Sequence, residues 1–180
     1  MVSFLNSFFE ECSAIITQEG GHINKYTGDG FLAIFGAPEP LEYHATLSFS
    51  AACKILELSH HVTLGRHPIT IGIGIHTGKA ILGNIGSKTK IEYTAVGDTV
   101  NTAARLQEFT KNFQGYPIIM SREAWNRLVK HPYHSAIKNL GPQIVRGKRE
   151  KLDAFGFNPD DAQTLLGSIT GRRLDTLTKN

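Results

Sequence analysis

Cysteine is scarce in this 180-residue chain: Cys12 and Cys53 stand alone in helix-like apolar stretches and form no metal spacing. A reducing, cytoplasmic setting is the expectation. Long apolar runs are missing as well. The stretch Phe31–Phe35 is far below the roughly 18 residues that cross a bilayer, so direct membrane insertion by this segment is excluded. The opening Met-Val-Ser-Phe-Leu-Asn has no basic n-region, apolar h-region or small-residue cleavage site, hence no secretory signal. Nor does one charge dominate, with 19 Lys and Arg against 16 Asp and Glu. The one local excess, Arg146, Lys148, Arg149 and Lys151, is too short to argue for a nucleic-acid face. Proline is sparse at 7 residues, whereas glycine reaches 18 without a Gly-X-Y period or Ser/Gly tract. The glycines therefore punctuate structure, and collagen, disorder and linker readings fall away. An apolar content of 41% over this length suits one domain with a real core.

Phe4, Leu5, Phe8, Phe9, Cys12, Ile15 and Ile16 recur at spacings of three and four, which predicts an amphipathic helix over 4–17 ended by Gly20-Gly21. Two β-prone runs, Ile23–Thr27 and Phe31–Phe35, flank Gly28-Asp29-Gly30, a hairpin signal. A second helix is expected from about Tyr43 to Leu58. In Ile69–Ile75, Ile alternates with small residues, which reads as a strand whose bare face admits close backbone approach. Further along, a short strand at Ala80–Leu82 and a helix over 98–113 capped by Asp98 or Thr99 are expected. They are followed by a strand at Pro117–Met120, a helix from Ser121 to about Val129, and closing strands at Ile137–Val145 and Leu152–Phe157. Helices and strands mix throughout, so an α+β or α/β domain over residues 1–157 is expected. The stretch 158–180 is polar and reads as a tail or linker. Trp125 and the Phe4/Phe8/Phe9 group read as core.

Gly72-Ile-Gly74-Ile-His-Thr-Gly78 sits in a strand rather than opening a helix, and Gly83-Asn-Ile-Gly86-Ser-Lys88 lacks the Gly-Lys-Ser/Thr ending of a P-loop. Both fail as phosphate loops. The hairpin Lys25-Tyr-Thr-Gly-Asp29-Gly holds a carboxylate at a rigid tip with glycines on either side, a suitable place for a hard metal ion; on the hairpin alone, the plainer reading of Asp29 as a turn residue is favoured. In Glu92-Tyr-Thr94-Ala-Val-Gly97-Asp-Thr-Val-Asn101-Thr-Ala-Ala-Arg105, Asn101 and Arg105 stand i, i+4 on one helix face. Arg suits a phosphate that gains charge, and Asn suits a sugar oxygen. The plainer reading is a solvated face on which Arg105 pairs with Glu108. The histidines at 60, 61, 67, 131 and 134 fall at helix ends or loops and read as surface residues, and His76 as a satisfied structural histidine.

Together these residues resemble the catalytic domain of class III nucleotidyl cyclases, the adenylate/guanylate cyclase family. The resemblance rests on Lys25-Tyr-Thr-Gly-Asp-Gly with its following Ala-Ile-Phe-Gly-Ala-Pro, on Gly72-Ile-Gly-Ile-His-Thr-Gly, on Gly83-Asn-Ile-Gly, and on Tyr93-Thr-Ala-Val-Gly-Asp-Thr-Val-Asn-Thr-Ala-Ala-Arg105, in the family's order. It implies a ferredoxin-like βαββαβ core, antiparallel-rich with flanking helices, that pairs head to tail with active sites between protomers. It also implies that Asp29 is the second of two metal-binding aspartates for Mg²⁺ or Mn²⁺, and that Lys25 and Thr94 recognise the base. Asn101 would orient the ribose, Arg105 stabilise the transition state, and Arg146, aided by Lys148, hold the triphosphate. An adenine edge offers an acceptor at N1 and a donor at N6, which a lysine donor and a threonine acceptor satisfy; guanine reverses these roles. The implied substrate is ATP, and the implied reaction is attack of the ribose 3′ oxygen on the α-phosphorus, giving cyclic AMP and pyrophosphate.

The family's first metal aspartate lies in a Phe-x-Asp-Ile strand upstream of the first helix, central to the family sheet. This sequence contains no such strand. The expectation is thus a catalytic domain over 1–157 that is N-terminally incomplete, a truncated piece of a longer cyclase acting as a homodimer or with a partner cyclase domain, located in the cytoplasm either by itself or as the cytosolic part of a larger, membrane-attached protein. The rival is a non-catalytic cyclase-like dimerisation or nucleotide-binding module, favoured by the absent aspartate.

Overall fold

The computed structural model describes residues 2–64, 66–87, 89–129, 133–144 and 151–162. Along them the chain runs α1 (Val2–Gln18), β1 (Gly21–Thr27), β2 (Gly30–Phe35), α2 (His44–His60), β3 (Thr63–Leu64), β4 (His67–Pro68), β5 (Ile73–Ile75), β6 (Ile81–Ser87), β7 (Lys90–Val96), α3 (Asp98–Phe109), β8 (Ile118–Ser121), α4 (Arg122–Trp125), a 3₁₀ turn at His134–Ala136, β9 (Ile137–Gln143) and β10 (Leu152–Phe157). The architecture is α+β with mainly antiparallel pairing, as expected. None of the described helices is long and apolar enough to cross a membrane.

Four strands form the central sheet in the order β5-β8-β10-β9, with β5 and β8 parallel. Strand β8 is buried along its whole length. Its Ile118 and Met120 join Phe49, Ala52 and Leu56 of α2 on one face, while Ile119 meets Leu106 of α3 on the other. A strand covered on both faces needs a continuous apolar run, which Ile118-Ile119-Met120 supplies. The remaining strands form separate two-stranded ribbons, β1/β2, β3/β4 and β6/β7. Among the described residues, β2 pairs only with β1, and β5 only with β8; the sheet is therefore interrupted between β2 and β5.

Strand β5 is shorter than the alternation of Ile69–Ile75 suggests, beginning at Ile73, but its bare face is used as expected. A Cβ on Gly74 would lie 2.1 Å from the Ala103 carbonyl oxygen and 2.4 Å from the Gln107 nitrogen, and one on Gly72 would lie 2.1 Å from Thr110 Oγ1. The close neighbour is α3 itself. That helix starts after Gly97, whose φ of 136° is open to glycine, so the cap is Gly97 rather than Asp98 or Thr99. It ends at Phe109, short of residue 113, where the Thr110 hydroxyl donates back to the Gln107 carbonyl at 2.7 Å. Ser121 does cap α4, accepting from the Ala124 N–H at 3.2 Å, but α4 spans one turn and stops at Trp125. Strand β9 likewise ends at Gln143, before Val145. Strand β7 was not anticipated, because the polar Glu92-Tyr-Thr stretch lacks apolar alternation.

Trp125 stacks on Phe155 at 5.2 Å, and Phe8 packs beside Cys12 and Ile16, so these two reach the core as expected; Phe4 and Phe9 are half-buried beside Phe8 and outside the core clusters. Burial pushes the thiols of Cys12 and Cys53 up to about 12, keeping both neutral. The polar segment after Phe157 is anchored at its start: Ala162 is buried in the α2-side core and Asp161 pairs with Lys138 at 2.5 Å.

One side chain ties the ribbons together. The β1 strand bulges at Asn24, between the paired residues Ile23 and Lys25. Asn24 Oδ1 accepts from Thr94 Oγ1 at 2.9 Å and from the Ala95 N–H at 3.2 Å, and its Nδ2 donates to the Tyr93 carbonyl at 3.3 Å. This stitches β1 to β7 across 70 residues of sequence.

Two substitutions test these contacts by urea unfolding. Gly74→Ala must move α3 backbone and is expected to cost about 2 kcal/mol, whereas Gly83→Ala, where a Cβ meets nothing within 4 Å, is expected to stay within about 0.5 kcal/mol of the parent. Asn24→Ala strands the buried Thr94 hydroxyl and the Ala95 N–H and is expected to cost about 2 kcal/mol; a loss below about 0.5 kcal/mol would remove the stitch as a stabilising element.

Candidate active site

The hairpin β1/β2 closes with Thr27 paired to Gly30, leaving Gly28 and Asp29 as a two-residue turn. Gly28, at φ 71°, occupies the first central position, which a side chain would strain. This places Asp29 at the exposed tip and Lys25 on the exposed end of β1. Both side chains line a cavity of about 1520 Å³, and Asn101 from the first turns of α3 lines it too. The approach of α3 to the bare glycines of β5 is what brings Asn101 to that wall. Three of the residues singled out from sequence thus share one opening.

Thr94 is held differently. It is only 6% exposed, and its hydroxyl hydrogen is committed to Asn24 Oδ1 at 2.9 Å. With its hydrogen spent, the oxygen faces any further partner through its lone pairs, as an acceptor. Asn24 fixes that polarity and precedes Lys25 on β1, so one bulge residue adjoins both residues that the resemblance assigns to the base. Sequence reading missed Asn24; its signal, a bulge, depends on pairing with β2 and β7 and is invisible in local pattern.

Arg105 lies on the α3 face as the i, i+4 spacing from Asn101 predicts, half-buried, with Nη1 donating to both Glu108 carboxylate oxygens at 3.1 Å. The plainer contact anticipated from sequence is therefore present. It does not disqualify the arginine, because an i, i+3 pair at the surface is worth about 0.2–0.5 kcal/mol. A phosphate would displace Glu108 at small cost. Arg146 and Lys148 lie outside the described residues.

Two further polar residues at the cavity were not read from sequence. His44, in the first turn of α2, meets Thr77 Oγ1 through Nε2 at 2.8 Å, linking α2 to the turn after β5. His76 is half-buried, with Nδ1 2.7 Å from Ser121 Oγ and 3.8 Å from Glu123, as expected for a structural histidine. His60, His61 and His67 are exposed.

The family resemblance implies divalent metal ions at the site. Among the described residues, no three His, Cys, Asp or Glu side chains come together to hold one. Asp29 is the one carboxylate among the described residues that line the cavity, and one carboxylate does not compose a site for two hard cations. The donor set of the described residues therefore does not by itself fit the implied two-ion centre.

Comparison with known proteins agrees with the geometry. An uncharacterised protein of Mycobacterium tuberculosis is 39% identical over 113 residues, 62% of this chain and 20% of that protein. An adenylate cyclase of Anabaena cylindrica is 29% identical over 157 residues, 84% of this chain and 31% of its own length. The chain thus spans about a fifth to a third of these relatives. Among solved structures, the guanylate cyclase domain of a Catenaria anguillulae protein in complex with GTP superposes with a TM-score of 0.76 at 26% identity, covering 88% of this chain and 83% of that one. The family model for the adenylate and guanylate cyclase catalytic domain matches residues 1–158, and the chain belongs to that family.

Proposed function

We propose that this chain is the catalytic domain of an adenylate cyclase, converting ATP to 3′,5′-cyclic AMP and pyrophosphate at a site shared between two copies or with a partner cyclase domain. The observation that carries the reading is that Asn24 holds the Thr94 hydroxyl hydrogen, leaving that oxygen an acceptor, and stands next to the exposed donor Lys25 on β1. A donor and a fixed acceptor match the N1 and N6 positions of adenine. Guanine presents the opposite pattern, and each mismatched contact costs about 1–3 kcal/mol.

In this reading Asn101 hydrogen-bonds the ribose and holds its 3′ oxygen toward the α-phosphorus. Arg105, released from Glu108, meets the charge that develops on the transferring phosphoryl group. Arg146 and Lys148 bind the triphosphate, and Asp29, on the same hairpin as Lys25, offers its carboxylate to the opposite site of the dimer.

The surface of β6 and β7 supports pairing of two chains. Ile81 is 72% exposed and Val96 is its cross-strand neighbour on one face of the ribbon, while Ile91 and Tyr93 are exposed on the other. A two-stranded ribbon that is apolar on both faces is marginal alone and gains stability when a second copy covers it. The lone carboxylate favours one second reading, a cyclase-like module that binds nucleotide and regulates a catalytic partner.

Cyclic AMP formation from ATP with Mg²⁺ or Mn²⁺, measured for this chain and for a form extended upstream in the parent reading frame, separates the readings. Product from the extended form is expected, and product from neither overturns the enzyme assignment. Lys25→Glu combined with Thr94→Cys is expected to move the ATP-to-GTP preference toward GTP by at least about tenfold; an unchanged ratio removes the base-recognition roles. Arg105→Ala is expected to lower kcat by about a hundredfold, while Glu108→Ala leaves it within about twofold.

A further inference from the structure

One ring joins the segment that follows β2 to the turn that follows β5. His44, the first residue of α2, is half-buried against Gly36, just past the end of β2: a Cβ on Gly36, whose φ is 84°, would lie 3.4 Å from His44 Cβ. The ring nitrogens point opposite ways. Nδ1 lies 3.2 Å from the Leu41 carbonyl oxygen, and Nε2 lies 2.8 Å from Thr77 Oγ1. A carbonyl only accepts, so Nδ1 carries the hydrogen. In the neutral ring Nε2 is then the acceptor, and the Thr77 hydroxyl donates to it.

The turn that Thr77 opens is held from two further sides. Before it, His76 Nδ1 meets Ser121 Oγ at 2.7 Å. Beyond it, the Thr99 hydroxyl donates to the Lys79 carbonyl at 2.5 Å. Gly78 admits that approach, since a Cβ there would stand 2.8 Å from Thr99 Oγ1. Thr99 lies in the first turn of α3 just ahead of Asn101, and His44, Thr77, Thr99 and Asn101 all line the same cavity. The contacts of α3 with Gly72 and Gly74 fall at Ala103, Gln107 and Thr110, further along the helix. Its first turn therefore needs an anchor of its own, and the turn after β5 supplies it.

We propose that His44 is a positioning residue of the nucleotide site. Through Thr77 it ties the hairpin side of the cavity to the first turn of α3, and so sets where Asn101 stands. The brace rests on the contacts alone, while its bearing on reaction rests on the cyclase reading, in which Asn101 holds the ribose. A histidine suits this position because one rigid ring donates to Leu41 and accepts from Thr77 at once. Asparagine can replace only Nδ1, and glutamine reaches the place of Nε2.

The brace is read without catalysis from NMR spectra of this ¹⁵N-labelled chain at about pH 8, where a free imidazole is neutral. The His44 ring is expected to carry its hydrogen on Nδ1; a hydrogen on Nε2 would break the link to Leu41 and overturn the proposal. His44→Asn and Thr77→Val remove one bond from its two ends, and both are expected to move the Thr99 and Asn101 amide signals in the same direction, with His44→Gln returning them toward the parent. Shifts confined to the neighbours of each substitution would overturn it. Thr77→Val is nearly isosteric and keeps the test readable if His44→Asn does not fold. In the upstream-extended form, both variants are expected to lower kcat for cyclic AMP about tenfold with KM for ATP within about twofold, and the double variant to fall no further. His44→Gln is expected to recover most of that loss, and His60→Asn, at an exposed histidine of the same helix, to stay within about twofold of the parent. Equal losses in the Asn and Gln variants, or an active extended form indifferent to both His44→Asn and Thr77→Val, would overturn the positioning role. An extended form that makes no product overturns the cyclase reading instead, and the Thr99 and Asn101 signals then decide the brace by themselves.

Discussion

Helix α3 lies directly on the backbone of β5, and most of what matters at the site depends on that contact. Only glycine at positions 72 and 74 lets the helix come so near, because a Cβ at either place would overlap α3 atoms. The same approach seats Leu106 against Ile119 in the core and aims Asn101 at the cavity. One helix therefore joins packing to placement: its buried side is held by β5 and β8, and its other side presents Asn101 and Arg105. A shift of α3 by the width of a methyl group would disturb both.

The second constraint is the Asn24 bridge. Hairpins are local structures, and two of them need a reason to adopt one relative position. Here the reason is three hydrogen bonds from one bulged amide to residues 93–95 of β7. Because Thr94 is buried, its hydroxyl requires a partner, and Asn24 supplies it while fixing which way the hydrogen points. Stability and acceptor polarity come from the same bond. The lysine one residue later, carried on the same strand, has its position set by the same bulge.

Sequence pattern revealed the parts that depend on near neighbours. The stripe of α1, the Gly28-Asp29 turn, the bare face around Gly72 and Gly74, and the i, i+4 pair on α3 are periodicities or dipeptides, and each was legible. What the pattern missed depends on distant partners. Strand β7 exists because β6 pairs with it, although Glu92-Tyr93-Thr94 has no apolar alternation. The cap of α3 fell to Gly97 because its backbone conformation excludes the side chains that would otherwise cap it. Asn24, His44 and Thr77 reach the site only through contacts that span 33 to 71 residues. The interrupted sheet was foreshadowed by the family resemblance, and its two edges became visible only once β2 and β5 were placed.

The split between local and distant pairing has a kinetic side. The β1/β2 and β6/β7 ribbons close over two-residue turns, and isolated hairpins of this kind form in about 1–10 μs. The seat of α3 is different, since β5 must find β8, a pairing sealed by His76 and Ser121 across 45 residues. Loop-closure entropy must be met there before any contact repays it, so that step is the slow one. The carriers of Lys25, Asp29 and Thr94 thus depend on local closure, whereas the placing of Asn101 depends on a long-range pairing.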